Sequence, residues 1–235
     1  MSIHQKFIST SIEELLEDAV GASQGISSGI CSVAISDYIF QSLFLRMTGF
    51  LEQKSKCLCW EMGTEDFDFR RTYLIQHGNL GEMSTNDSKK FVFINLEKVI
   101  QKRRKSYNAE SDIDKEAILQ SVKQTITDLF TSSNLRYCRS RHFMEFSENY
   151  NSIFMKDYFV KDGVLLLGKL YDAYDCLYDF RNRCAHNVHS YQQNLPSLDV
   201  ISDGKYVYEN YYIRYALLLL IDNVYIQMYN TFLGR

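Results

Sequence analysis

Three features of the sequence predict an all-α fold. Pro196 is the only proline in 235 residues. Glycine occurs only 11 times. Apolar residues recur at a 3.6-residue period over long stretches, the spacing that keeps one face of a helix against a core. Sandwiches and barrels need many tight turns, and turns draw on Pro and Gly. So sparse a supply of both points to long helices joined by few connections.

The elements follow in order. SIEELLEDAVGA opens on a Ser and an acidic first turn and reads as a short helix. The stretch SQGISSGICS, residues 23–32, is the loosest in composition and a place to expect mobility. From Ser36 the residues Ile39, Leu43, Met47, Phe50, Leu51, Lys54, Leu58 and Met62 keep helical spacing, predicting a long helix over 36–62. FDFRRTYLIQH is a second helical segment, broken after it by Gly78 and Gly81. SKKFVFINLEKVIQKRRKSY has a helical tail, while FVFI at its start also fits a short strand. YNAESDID reads as a polar connector. KEAILQSVKQTITDLF is amphipathic, with Asp112 or Asp114 as its cap. The strongest helical pattern is VLLLGKLYDAYDCLYDFRNR, with Leu166, Leu167, Leu170, Tyr171, Tyr174, Leu177 and Tyr178 in one stripe. A loop over QQNLPSLDVISDGK leads to a last helix, and 190–205 is a second place to expect mobility. There Ile213, Leu217, Leu220, Val224 and Met228 keep one face apolar. There is no internal repeat, and residues 1–235 are read as a single domain with 79–112 as the candidate insertion.

A formal charge of −3 gives no global field to draw the chain onto nucleic acid or an anionic membrane, so any such contact is local. The N-terminal stretch is polar and amphipathic, unlike a secretory leader, and no apolar run approaches a membrane span. The six cysteines are therefore expected as reduced thiols in a cytoplasmic protein. CLC at 57–59 and Cys176 with Cys184 lack the paired-knuckle spacing of zinc sites. Glu61, Glu65, Asp66 and Asp68 have no His at helical spacing and read as a solvated helix end. No metal and no cofactor is expected. Phosphate-cradling glycine motifs and nucleophile elbows are also absent.

The stretch that carries chemistry is RNRCAH at 181–186. An Arg followed by a His after four to six residues is weak evidence alone, and Arg70 or Arg71 with His77, Arg136 with His142, and Arg183 with His189 have it too. Context separates Arg181 and His186 from the others. They end the strongest helix, Asn182 follows the Arg directly, and a polar loop and a second long helix come next. This arrangement resembles the HEPN superfamily of helical proteins, many of them RNases, over about the last 70 residues.

The resemblance implies a HEPN-like helical bundle with additional helices, and a homodimer whose two motifs face each other. It further implies a metal-independent endoribonuclease of the toxin–antitoxin or phage-defence kind, restrained by an antitoxin, another regulatory partner protein or a conformational gate. Arg181 suits phosphoryl oxygens through its planar, permanently charged fork. His186 titrates near neutrality and serves as base or acid. Asn182 donates to phosphate or orients His186. A supporting polar residue from a neighbouring helix is expected at Glu52 or Lys56. Local basic patches, QKRRKSY with Arg103 and Arg104 and RYCRSRH with Arg139 and Arg141, suit RNA backbone, as does Arg183. The rival reading is a non-catalytic helical module that binds a partner protein or a nucleotide, with Arg181 and His186 merely closing a helix.

Overall fold

The computed structural model describes residues 2–25, 33–77, 81, 83–186 and 205–234. They are almost entirely helical. In chain order the helices are α1 (Ile3–Ser9), α2 (Glu13–Ala22), α3 (Val33–Glu65), α4 (Phe67–His77), α5 (Asn86–Arg103) and α6 (Ala109–Asp112). Then come α7 (Lys115–Thr131), α8 (Leu135–Cys138), α9 (Ser140–Ile153), α10 (Lys156–Phe159), α11 (Gly168–His186) and α12 (Tyr211–Phe232). A 3₁₀ turn over Lys205–Glu209 leads into α12, and a two-stranded hairpin, β1 (Val160–Lys161) and β2 (Val164–Leu165), separates α10 from α11.

The fold is built around α12. Its residues from Tyr211 to Asp222 are buried without interruption, and Val224, Tyr225, Met228, Tyr229 and Phe232 continue the buried surface. The single apolar face expected for this helix is therefore too narrow. A helix apolar on all sides belongs at the centre, and α3, α5, α7, α9 and α11 all pack against it. Asn210 caps it, its side-chain oxygen accepting from the Tyr212 N–H at 2.9 Å. Tyrosines supply much of the packing, and two of the buried hydroxyls tie α12 to its neighbours: Tyr215 donates to Phe40 O at 2.8 Å and Tyr225 to Lys89 O at 3.0 Å.

Side-chain caps mark the start of several other helices. Ser2 and Gln5 form a capping box on α1, a helix that the polar N-terminal stretch did not announce. α3 runs three residues beyond the expected span at each end and is about 50 Å long. Asp66 is not part of a solvated helix end. It is buried, accepts from the Phe69 N–H at 3.0 Å to start α4, and pairs with Lys102. FVFI lies inside α5, not in a strand, because Thr85 caps that helix ahead of it through the Ser88 N–H. Asp114, the second of the two expected caps, starts α7. α5 lies in the segment read as a candidate insertion and sends Val92, Phe93, Leu96 and Ile100 into the same buried cluster as α3 and α12.

The start of the strongest helical pattern is corrected. Val164 and Leu165 are strand, and Leu166 and Leu167 lie before α11. Asp162 and Gly163 both have positive φ, at 51° and 71°, the geometry of a tight two-residue hairpin turn. Leu166 is still fully buried, so its apolar character serves the core from outside the helix.

No described helix is long and apolar enough to cross a membrane. Cys57, Cys59, Cys138, Cys176 and Cys184 are free thiols. Cys31, the 26–32 part of the loose stretch, and 190–204 of the loop before α12 lie outside the described residues.

Candidate functional site

α11 brings its last two turns against α3. Leu177, Phe180 and Cys184 point into the core, and Arg181, Asn182 and Arg183 stand half-buried at the edge. Arg181 Nη1 donates to Asn182 Oδ1 at 3.0 Å, so the two neighbours act on each other. Arg181 Nη2 reaches Glu52 Oε2 on α3 at 3.5 Å. One helical turn on, Lys56 Nζ pairs with Glu52 Oε1 at 2.8 Å. The structure thus brings Arg181, Asn182, Glu52 and Lys56 into one group. Burial works against ionisation of Glu52, but Lys56, then Lys89 and Arg181, outweigh it and hold the carboxyl below its ordinary value. At neutral pH the group is a carboxylate flanked by two cations, the guanidinium held by the longer contact.

α11 is continuous through His186, so Arg181 and His186 occupy register positions about 140° apart around the helix. The His186 side chain lies outside the described residues, as do the side chain of His77 and all of His189.

Arg183 belongs to a different face. It pairs with Glu209 at 3.1 Å, and Glu209 also pairs with the fully buried Arg214 of α12. The Arg214 guanidinium lies 3.6 Å from the centre of the Phe180 ring. Asn210 donates to His142 O at 2.6 Å, tying α9 to the same corner. Burial, with Arg139 beside it, pushes the His142 imidazole below its ordinary value. Cys184 is buried there too, and that burial raises its thiol.

The other basic residues expected to meet RNA are scattered, and each is engaged with a carboxylate. Arg103 pairs with Glu65 at 2.6 Å and donates to Phe232 O at the far end of α12. Arg104 lies 3.8 Å from Asp112, Arg139 pairs with Asp37 at 2.8 Å, and Arg141 with Glu145 at 2.8 Å. Arg103 and Arg139 lie near opposite ends of α12, about 30 Å apart. Among the described residues, no group of three or more His, Cys, Asp and Glu stands together as a metal-ligand set.

Sequence reasoning missed Lys89. It is buried in the first turn of α5 and donates to Ser55 Oγ at 3.0 Å and to Met83 O. A signal for it existed: Lys89, Val92, Phe93 and Leu96 share helical spacing, which puts a lysine in an apolar stripe. No protein-family model matches the chain, and no curated protein and no solved structure matches it significantly.

Proposed function

We propose that this chain is a metal-independent endoribonuclease of the HEPN kind, acting as a homodimer through Arg181, Asn182 and His186. The observation that carries the reading is the Arg181 group: a half-buried guanidinium at the end of α11, braced by Asn182 on its own helix and by Glu52 on α3. A cation held this way presents a fixed fork to a phosphodiester, and its contact to Glu52 is long enough for a phosphate to replace.

In this reading the 2′-oxygen attacks the neighbouring phosphorus while one His186 takes its proton. The bond from phosphorus to the 5′-oxygen breaks, and the second His186, from the partner copy, protonates that oxygen. Arg181 holds the charge that builds on the phosphoryl oxygens. The products are a 2′,3′-cyclic phosphate and a 5′-hydroxyl. An enzyme of this kind in a toxin–antitoxin or phage-defence setting needs a restraining partner protein.

The test is cleavage of labelled RNA in EDTA by wild type, His186→Ala and Arg181→Ala. Loss of the acid–base group lowers the rate by about 10²–10⁴, and loss of the cation by about 10²–10³. Equal rates in all three place the activity elsewhere.

One observation favours the interaction-module reading instead. A groove of about 340 Å³ between the end of α3 and α4 is lined by Trp60, Phe69, Tyr73 and Leu74. Trp60 and Leu74 are both more than half exposed, which suits a protein partner. RNA uncut under all conditions, with a partner retained on Trp60, would favour that reading.

A further inference from the structure

Beneath Arg181 lies a cavity of about 10 Å³, the room of a single water. Arg181 is part of its wall, and so is Lys89. Thr48 and Leu51 of α3, Tyr174 of α11 and Leu218 of α12 close most of the rest. The two basic groups therefore face one small space, with no side chain filling it.

Lys89 is placed as a neutral amine would be. A neutral amine has two hydrogens to donate, an ammonium three. Two acceptors are present, Ser55 Oγ and Met83 O, and Ser55 has already turned its own hydrogen to Leu51 O at 2.8 Å. Among the described residues no third acceptor meets Lys89. The charged and titratable groups around it are Glu52, Lys56 and Cys59 from α3, and Arg181 from α11, with Tyr174 and Tyr178 of α11 on the shared cavity wall and the Tyr225 hydroxyl of α12 on its backbone carbonyl. Burial lowers its proton affinity most, Glu52 raises it, Lys56 and Arg181 lower it again, and the balance falls at about 7. With Cys59 pushed up to about 12 and so neutral, Glu52 is the one anion in this set, against Lys56 and Arg181. A third cation would be uncompensated.

An anion on Arg181 changes that balance. We propose that Lys89 takes up a proton when a phosphodiester docks on Arg181, so that the site gains a third cation, a fully buried one, only when it is occupied. The proposal rests on Arg181 being the phosphate-holding group. The linkage is reciprocal: if the anion raises the proton affinity of Lys89, protons raise the affinity for the anion by the same factor.

The experiment follows the Lys89 side chain by NMR in lysine-labelled protein through a pH titration, with and without a short 2′-deoxy oligonucleotide that cannot be cleaved. The expected result is a Lys89 midpoint near 7 in the free protein, rising by about one unit when the oligonucleotide binds. The oligonucleotide then binds up to about tenfold more tightly below that midpoint than above it. Lys89→Arg, which keeps a cation at the position but does not titrate, removes this dependence. The wild-type titration decides without any variant. Binding that is lost in Arg181→Ala, with the Lys89 midpoint unmoved, overturns the proposal and leaves the reading of Arg181 intact. Binding that is unchanged in Arg181→Ala, or no binding at all, overturns both.

Discussion

Lys54 and Lys89 stand at positions whose spacing belongs to apolar side chains, and both are buried. Each needs a specific partner. Lys54 has Asp222 of α12, an ion pair with both side chains at 0% exposure, and also donates to Thr10 O at 2.7 Å. Asp222 Oδ2 in turn accepts from the Ile12 N–H at 3.0 Å. The pair therefore fastens the connection between α1 and α2 to the centre of the molecule. Removing one partner leaves a buried charge uncompensated, so Lys54→Met is expected to cost about 3–5 kcal/mol in equilibrium urea unfolding. Lys54→Met with Asp222→Asn should recover most of that, because the amide oxygen still accepts from Ile12 and no charge is left. A loss under about 1 kcal/mol in the single variant would mean that the pair is replaceable by water.

At the scale of elements, α11 begins on a constraint invisible to periodicity. Gly168 has φ of +50°, and a Cβ there would sit 2.9 Å from two ring carbons of Tyr158. Gly168→Ala is therefore expected to destabilise by about 2 kcal/mol or more in urea unfolding, left-handed backbone alone costing about 1–2. An unchanged midpoint would show that the backbone relaxes there. The long helices were legible because their stripes are long: α3, α4, α7 and α12 lie where the spacing puts them. The hairpin before α11 was missed although Asp162–Gly163 is a standard turn pair, because the leucines that follow continue the helical stripe. In α5 the ambiguity of FVFI is resolved by the Thr85 cap, a local signal stronger than β-propensity.

Across the whole molecule, burial of titratable groups makes stability depend on pH in a definite direction. Between about 7, the Lys89 value in the fold, and its ordinary 10.5, the unfolded chain holds a proton that the folded chain lacks. Stability therefore rises with pH from 7 by up to about 1.4 kcal/mol per unit. Cys59 works oppositely: its ordinary value of 9.0 is pushed up to about 12, so above 9 the folded chain holds the extra proton. The buried Tyr174 and Tyr225, both raised above 10.0, add to that fall. Urea titrations across this range should show maximal stability near pH 9, and Lys89→Met should flatten the rise below it. A fall from pH 7 to 9 in wild type would contradict the burial of Lys89 as a depressed lysine. The candidate site belongs to this scale too. Arg181 and Asn182 were legible as neighbours in sequence, and Glu52 and Lys56 were singled out on α3. The contact of Glu52 with Arg181 spans 129 positions, and no local pattern encodes such a pairing. Lys89 arrives from a third helix and completes the surroundings of Glu52.

Cleavage through Arg181 and His186 without a metal would leave its signature in the RNA termini that purified wild-type protein produces in EDTA. The expected ends are 2′,3′-cyclic phosphate and 5′-hydroxyl. Products with 3′-hydroxyl and 5′-phosphate ends, or cleavage that stops when EDTA is added, would contradict it.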